Sequence, residues 1–471
     1  MTPQAQLVLR IWLPVVLALF KFLPARKAVV TSFIVSWLFL PQKVLFIFPG
    51  LPDYDRISAT CYSILLATFI FDFKRFSSFK FGWLDIPMLV WCICPFISSM
   101  TNNLGVYDGV SAIVDRTMEY GIPYFLGRIY LNDLLGMRQL AMGIFVGGLI
   151  YAPLCIFESV MSPQLHNMVY GYHGIRQFGQ SIRLGGFRPN VFMKHGLSVG
   201  MWMMAALLVA VWLWQSGMLK KFWNIPMSWI VAGLFVTHLL VRSTGAYLYM
   251  LYGLVILFTA KWLRISLPLV ALISALSFYL MLGATGNFTG DQADQIISVA
   301  ENIAGPDRAQ SLEYRFDHEE LLVEKGLERI VFGWGGWGRN RVFDYNWAGE
   351  LVDISVTDSL WVIAFGVNGI VGLTAVFGSV FLPAVSFVFR YPATTWFNPK
   401  VAPAAVLVVI TILYALDCCL NNQFNPVFTL ASGAIAGLVL QPEPTQKTVK
   451  TLRKSRQLPS ERSARIDLSK S

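Results

Sequence analysis

The sequence predicts an all-α fold: a polytopic transmembrane helical bundle of about 12–13 spans with one large polar loop. Three observations predict it. Hydrophobic residues make up 55% of the 471 and charged residues 14%, with a mean hydropathy of +0.57; soluble domains carry about 25% charged residues. Apolar stretches of about 17 residues or more, the length that spans a bilayer as helix, recur along the chain. The oily pattern is interrupted by a single long polar block, 283–356. Apolar and polar residues do not alternate over segments of roughly ten residues, so an outer-membrane barrel is not indicated.

In order, the expected spans are 7–23, 28–48, 57–71, 83–100, 110–130, 139–160, 193–214, 225–241, 243–261, 265–283, 356–382, 401–417 and 424–440. The first lacks a small-residue cleavage site after it and reads as a retained span that crosses or lies in the interface. The span 110–130 holds Asp115, Arg116, Glu119 and Arg128 and reads as a broken or re-entrant helix, which is tolerated where it is buried in protein or faces water. The chain thus divides into an N-terminal transmembrane bundle (1–282), a loop domain (283–356), C-terminal transmembrane helices (357–440) and a basic, disordered tail (441–471).

Lys and Arg in connecting loops set orientation. Lys447, Lys450, Arg453, Lys454, Arg456, Arg462, Arg465 and Lys470 put the tail in the cytoplasm. Counting back through Arg390 and Lys400, Lys261 and Arg264, Lys220 and Lys221, Lys74, Arg75 and Lys80, and Arg26 and Lys27 keeps alternate connections cytoplasmic. The polar block, with 13 Asp and Glu against 6 Lys and Arg, then lies outside with 161–192 and the turn at Arg242. This placement accounts for the net charge of +10 without nucleic acid. The six cysteines fall in or beside apolar spans and show neither a disulfide framework nor metal spacing.

Within the polar block, 291–329 has helical spacing broken at Gly305-Pro306, which predicts two short helices. The run Gly333-Trp-Gly-Gly-Trp-Gly338 follows; it has no terminal Gly-Lys-Ser/Thr and is not a phosphate-binding P-loop.

Three cationic features share the outer side. Arg183 and Arg188 lie in Arg183-Leu-Gly-Gly-Phe-Arg188-Pro-Asn190, with Arg176 before and Lys194 and His195 after. Arg242-Ser243-Thr244-Gly245 joins two spans, and Arg315 sits on the second loop helix. The guanidinium is a planar donor fork suited to phosphate oxygens. The Ser-Thr-Gly turn adds hydroxyls and helix N-terminal amides that favour an anion. Together these suit a lipid diphosphate. Blander roles stand beside them: Arg242 snorkelling to the interface, Arg176, Arg183 and Arg188 solvated, Arg315 paired with Glu319 at i+4.

Trp334 and Trp337 suit stacking on sugar faces or anchoring in an aromatic belt. Asp317, His318, Glu319, Glu320, Asp353 and Asp358 are acid–base candidates, with Asp358 or Thr357 alternatively the N-cap of the following helix and His318 alternatively solvated. Glu158 and Asp417 lie near outer span ends and Asp72 near an inner one, and no relay of buried carboxylates suggests an ion-driven transporter. His166, His173 and His195 show no metal-ligand spacing with one another.

The order of these features resembles the O-antigen ligase and polymerase family of bacterial inner-membrane proteins. The resemblance covers roughly 183–373: the Arg-x-x-Gly-x-x-Arg-Pro-Asn stretch, the Val-Arg-Ser-Thr-Gly turn, a long outer loop with Ser311 and Arg315, the Gly-x-Gly-x-x-Gly run, and a span continuing through Gly366, Gly369 and Gly372. It implies a GT-C-like glycosyltransferase taking an undecaprenyl-diphosphate-linked glycan as donor, with no nucleotide sugar, metal or other cofactor. Arg242 and Arg315 would contact the diphosphate, with Arg188 assisting, and inversion is the expected outcome. Ligases of the family carry a His-Asn-like pair where this chain reads Thr357-Asp358-Ser359. The expectation is therefore a polymerase of exopolysaccharide or O-antigen repeats, catalytic residues Arg242, Arg315 and Asp358, and substrate contacts from Arg183, Arg188, Ser243, Thr244, Trp334, Trp337 and His318. The implied partners are the lipid-linked donor, a glycan or lipid acceptor, membrane lipid, and chain-length-control or export proteins. The alternatives are ligation to lipid A core or protein, and a lipid-linked glycan flippase, which predicts inverted repeats or mid-span charges that the sequence does not display.

Overall fold

The computed structural model describes residues 2–48, 52–174, 178–288 and 290–442. Arg176 and the tail beyond 442 lie outside the described residues. The chain is mostly helical. The first helices are α1 (Pro3–Phe22), α2 (Ala25–Phe39), α3 (Arg56–Phe71), α4 (Ile86–Thr101), α5 (Val106–Arg116), α6 (Ile122–Tyr130) and α7 (Leu134–Met161). A short α8 (Leu165–Tyr170) and the hairpin β1 (Ile182–Arg183) with β2 (Gly186–Phe187) precede α9 (Gly196–Gln215). A second hairpin, β3 (Lys221–Phe222) with β4 (Ile225–Pro226), leads to α10 (Met227–Leu240), α11 (Thr244–Trp262) and α12 (Leu267–Ala284). The polar block supplies α13 (Gly290–Ala304), α14 (Pro306–Leu327) and the hairpin β5 (Phe343–Tyr345) with β6 (Leu351–Asp353). Three helices close the chain: α15 (Leu360–Arg390), α16 (Ala402–Leu420) and α17 (Pro426–Leu440).

Eight helices among the described residues are long and apolar enough to cross a membrane: α1, α4 with the turn before it, α7, α9, α11, α12, α15 and α16. The sequence led us to expect 12–13 spans. The difference comes from short elements. Helices α2, α3, α10 and α17 have 15, 16, 14 and 15 residues, about 21–24 Å at 1.5 Å per residue against a hydrocarbon core of about 30 Å.

The expected span 110–130 is a helical run with one wide turn. Thr117–Gly121 is π-helical and joins α5 to α6, the kind of local defect that often marks functional positions. Its two arginines have partners, Arg116 meeting Glu119 at 3.4 Å. Arg116 lies over the Trp91 ring at 4.4 Å. Arg128 meets Asp85 at 2.6 Å with both side chains about 5% exposed, and the Tyr124 hydroxyl donates to Asp85 at 3.0 Å. Removing one partner of such a buried pair costs about 3–5 kcal/mol.

Small residues let helices approach closely, the main route to packing where lipid supplies no hydrophobic drive. A Cβ on Gly433 would stand 2.0 Å from the Tyr124 carbonyl oxygen, and one on Gly127 2.1 Å from that of Leu430, so α6 and α17 touch backbone to backbone. Helices α9 and α16 form the centre of the bundle, with nearly every residue buried.

The two loop helices appear where Gly305-Pro306 predicts the break: Gly305 takes φ +87 and Pro306 opens α14. The Gly-Trp run then reaches the bundle. Trp334 and Gly335 amides donate to the carbonyls of Gly366 and Val367, while Ile370 and Val371 donate back to Ile330 and Val331. This exchange is possible because α15 breaks at Gly369 (φ 65, ψ −164), where a Cβ would lie 2.3 Å from Val331. Hydrogen bonds gather the segments at one end of the bundle: Asn102 donates to the Gly333 carbonyl at 2.9 Å, Arg242 to Phe187 at 2.7 Å, Arg315 to Asn421 at 3.1 Å, and Ser198 to Gln423.

Candidate functional site

The site at that end begins with the turn before α9. Glu158, buried on α7, accepts from the amides of Leu165 (2.8 Å), Asn190 (2.9 Å) and Val191 (2.7 Å). It thereby fixes the Arg188-Pro-Asn190 stretch. Arg188 is 4% exposed, and its stem crosses Gly196 so closely that a Cβ there would lie 2.2 Å from Cδ. Its Nε and Nη2 donate to the Arg242 carbonyl, each at 3.3 Å.

Arg242 sits in the turn between α10 and α11 with φ 52. Its guanidinium folds back over Gly186, where a Cβ would approach Cζ to 2.3 Å. Among the described residues its hydrogen bonds both come from Nη1, to Phe187 (2.7 Å) and Ser159 (3.4 Å) carbonyls. Arg242 therefore points into protein, and its reach ends on β2. Ser243 is the buried N-cap of α11, without a side-chain capping bond, and packs on Gly200. Thr244 is half-buried beside it. Arg183, on β1, is half-buried, and its Nε has no partner among the described residues.

Arg315 approaches from α14. Its Nη2 donates to Asn421 Oδ1 at 3.1 Å, and Asn421 Nδ2 donates to Asp417 Oδ1 at 2.9 Å. His318 lies one turn on, its ring 4.3 Å from that of Tyr314, and Arg315, His318, Glu319 and Asp358 line one narrow pocket. Asp358 is exposed. It is not the N-cap of α15; Ser359 takes that position.

His195 feels the charge of both arginine groups. This residue caps α9, its Nδ1 accepting the Leu197 amide at 3.1 Å. Burial, and then the positive charges of Arg188, Arg183, Lys194 and Arg315, push its imidazole down to about 4. The ring is therefore neutral at physiological pH and lies in the field of four cations. An environment with this many positive charges suits a polyanion.

Glu319 lies one turn after Arg315 on the same face of α14. Tyr279 donates to its Oε2 at 2.8 Å and the Trp361 indole to its Oε1 at 3.2 Å. Burial pushes its carboxyl up to about 7, against the lowering effect of the hydrogen bonds from Tyr279 and Trp361 and the charge of Arg315. The alternative i+4 pair between Arg315 and Glu319 is not formed; each has its own partners.

The tryptophans of the Gly-Trp run are seated elsewhere. Trp334 donates to the Lys325 carbonyl at 2.7 Å, and its ring carries Lys325 at 4.0 Å and Arg329 at 5.2 Å. Trp337 is exposed, with Arg341 at 5.3 Å. The run as a whole rests on the end of α4 around Ser98 and Asn102.

Sequence reasoning named the arginines but not their supports. Asn421 carried no sequence signal of its own; the carboxylate of Asp417 at a span end, four residues earlier, was the available hint. Glu319 was one of several acidic candidates until burial and Tyr279 set it apart. Among the described residues no three His, Cys, Asp or Glu side chains come together as a metal-ligand set. The chain matches no family model and no curated protein.

Proposed function

We propose that this protein is a membrane glycosyltransferase with a GT-C-like arrangement, polymerising undecaprenyl-diphosphate-linked oligosaccharide repeats at the periplasmic face of a bacterial inner membrane. The reading is supported by geometry: Arg188 is anchored on the Arg242 turn and Arg315 on Asn421, and Arg183, Arg188, Lys194 and Arg315 all lie near enough to His195 to lower its pKa. Such a cluster at the end of an apolar bundle suits the diphosphate of a lipid carrier. Arg242 supports it by holding the backbone of β2 and Arg188.

In this reading the acceptor is the non-reducing end of a second lipid-linked repeat. Its hydroxyl attacks the anomeric carbon of the donor. The arginines stabilise the departing diphosphate, where negative charge develops. A carboxylate beside Arg315 takes the hydroxyl proton; Asp358 and Glu319, which line the same narrow pocket as Arg315, are the candidates for that role.

The test is a deletion strain analysed for its glycans. Accumulation of single lipid-linked repeats is the expected result. Accumulation of lipid-linked polymer would instead indicate a ligase, and no change in lipid-linked glycans would remove the reading altogether.

A further inference from the structure

A cavity of ≈ 310 Å³ opens between α12, α13 and α14. This is within the size of small-ligand pockets, about 300–1,000 Å³. One wall is a continuous aromatic surface. Tyr279 stands edge-on to Phe288 (5.5 Å) and Trp361 (5.8 Å), and Phe288 meets Phe316 at 5.3 Å. Carboxylates complete the lining: Asp294, Glu313, Asp317, Glu320 and Glu324, beside Glu319. No Lys or Arg lines it among the described residues. The cavity therefore repels a diphosphate. It suits a ligand with apolar C–H faces and a rim of hydroxyl donors, which is a sugar.

Glu319 lines both this cavity and the narrow pocket that holds Arg315, His318 and Asp358. Arg315 precedes it by one helical turn, on the same side of α14. The cationic and acidic halves of the site thus meet at one carboxylate.

We infer that this cavity is the subsite for the acceptor sugar and that Glu319 is the base for its hydroxyl. The assignment rests on the glycosyltransferase reading above. The acceptor O–H gives its proton to the Glu319 carboxylate, and the oxygen's electron pair forms the new bond to the anomeric carbon. The bond from that carbon to the diphosphate oxygen breaks, and its electron pair leaves on the polyprenyl diphosphate beside the arginines. Tyr279 and Trp361 orient the carboxylate by their hydrogen bonds and act as positioning residues.

The experiment uses the full chain reconstituted in lipid nanodiscs. The donor is the lipid-linked repeat extracted from the deletion strain, and the probe is the same oligosaccharide freed of lipid by mild acid. Binding is read by saturation-transfer NMR and turnover by polymer formation. Asp317 and Glu320 are exposed, so the double variant Asp317→Asn, Glu320→Gln tests the cavity without disturbing the fold. It is expected to lose oligosaccharide binding and to raise the acceptor KM about tenfold or more with kcat little changed, as loss of uniform binding does. Glu319→Gln is expected to bind the oligosaccharide and to lose about 100-fold or more in kcat. Unchanged binding in the double variant, or parental kcat in Glu319→Gln, overturns the inference while leaving the polymerase reading in place. A parent chain that binds the oligosaccharide but forms no polymer defeats the polymerase reading and the base role, and keeps the glycan site.

Discussion

Arg188 and Arg242, 54 residues apart, are joined by side chain to backbone: Arg188 donates twice, from Nε and Nη2, to the Arg242 carbonyl at 3.3 Å. Arg242 in turn donates to the carbonyl of Phe187, the residue before Arg188. Each arginine therefore fixes the other's backbone. The turn before α9 and the turn before α11 are thereby coupled.

That coupling makes Gly186 a lever on Arg242. A methyl group there would lie 2.3 Å from the Arg242 Cζ. Gly186→Ala should therefore reduce polymer yield to the level of Arg242→Ala, with both variants still inserted in the membrane. Arg242→Lys should fail to rescue, because an ammonium lacks the planar fork. Polymer yield on a gel, normalised to membrane-inserted protein, decides it. Normal yield in Gly186→Ala would show that activity does not need the guanidinium in its seat over Gly186.

Arg315 depends on Asn421 in the same way. Its 3.1 Å bond to Asn421, backed by the 2.9 Å bond to Asp417, crosses 106 residues. Arg315→Ala should abolish product. Asn421→Ala should weaken it about 5- to 150-fold, the equivalent of a 1–3 kcal/mol charged hydrogen bond. Initial rates of polymer formation measure this, and a parental rate in Asn421→Ala would make the bond incidental.

The Glu319 carboxyl, raised to about 7 chiefly by burial, carries a sign that can be checked. A base must be ionised, so kcat/KM should rise with pH up to about 7 and then level off. The acidic limb should vanish in Glu319→Gln. Stability runs the other way: the folded chain holds a proton that the unfolded chain releases above the ordinary 4.5, so this group costs stability as pH rises from 4.5 to about 7. A larger kcat loss in Asp358→Asn than in Glu319→Gln would reassign the base to Asp358.

Gly369 carries the break of α15. With φ 65 and a Cβ position 2.3 Å from Val331, Gly369→Ala combines backbone strain with a clash against main chain. A cost of about 1–3 kcal/mol from the strained φ alone is expected, and the clash adds to it. The thermal midpoint of the detergent-solubilised protein should fall clearly below the parental value; an unshifted midpoint would mean the 330–335 segment moves aside freely.

Hydropathy placed the helices along the chain because burial in an apolar medium depends on composition over a window of residues. Gly305-Pro306 marked the loop break for an equally local reason, the φ and amide restrictions of those two residues. The cationic character of the site was legible too, since Arg183, Arg188, Arg242 and Arg315 stand out where positive charge is sparse. Tertiary structure alone decided the rest. It turned Arg242 inward onto Gly186, set Asn421 under Arg315, opened α15 at Gly369 to receive the Gly-Trp run, and seated the half-buried Glu319 against Tyr279 and Trp361. Each of these depends on contacts across tens to hundreds of residues. Side-chain reach and helix packing determine them, and neither has a local signature.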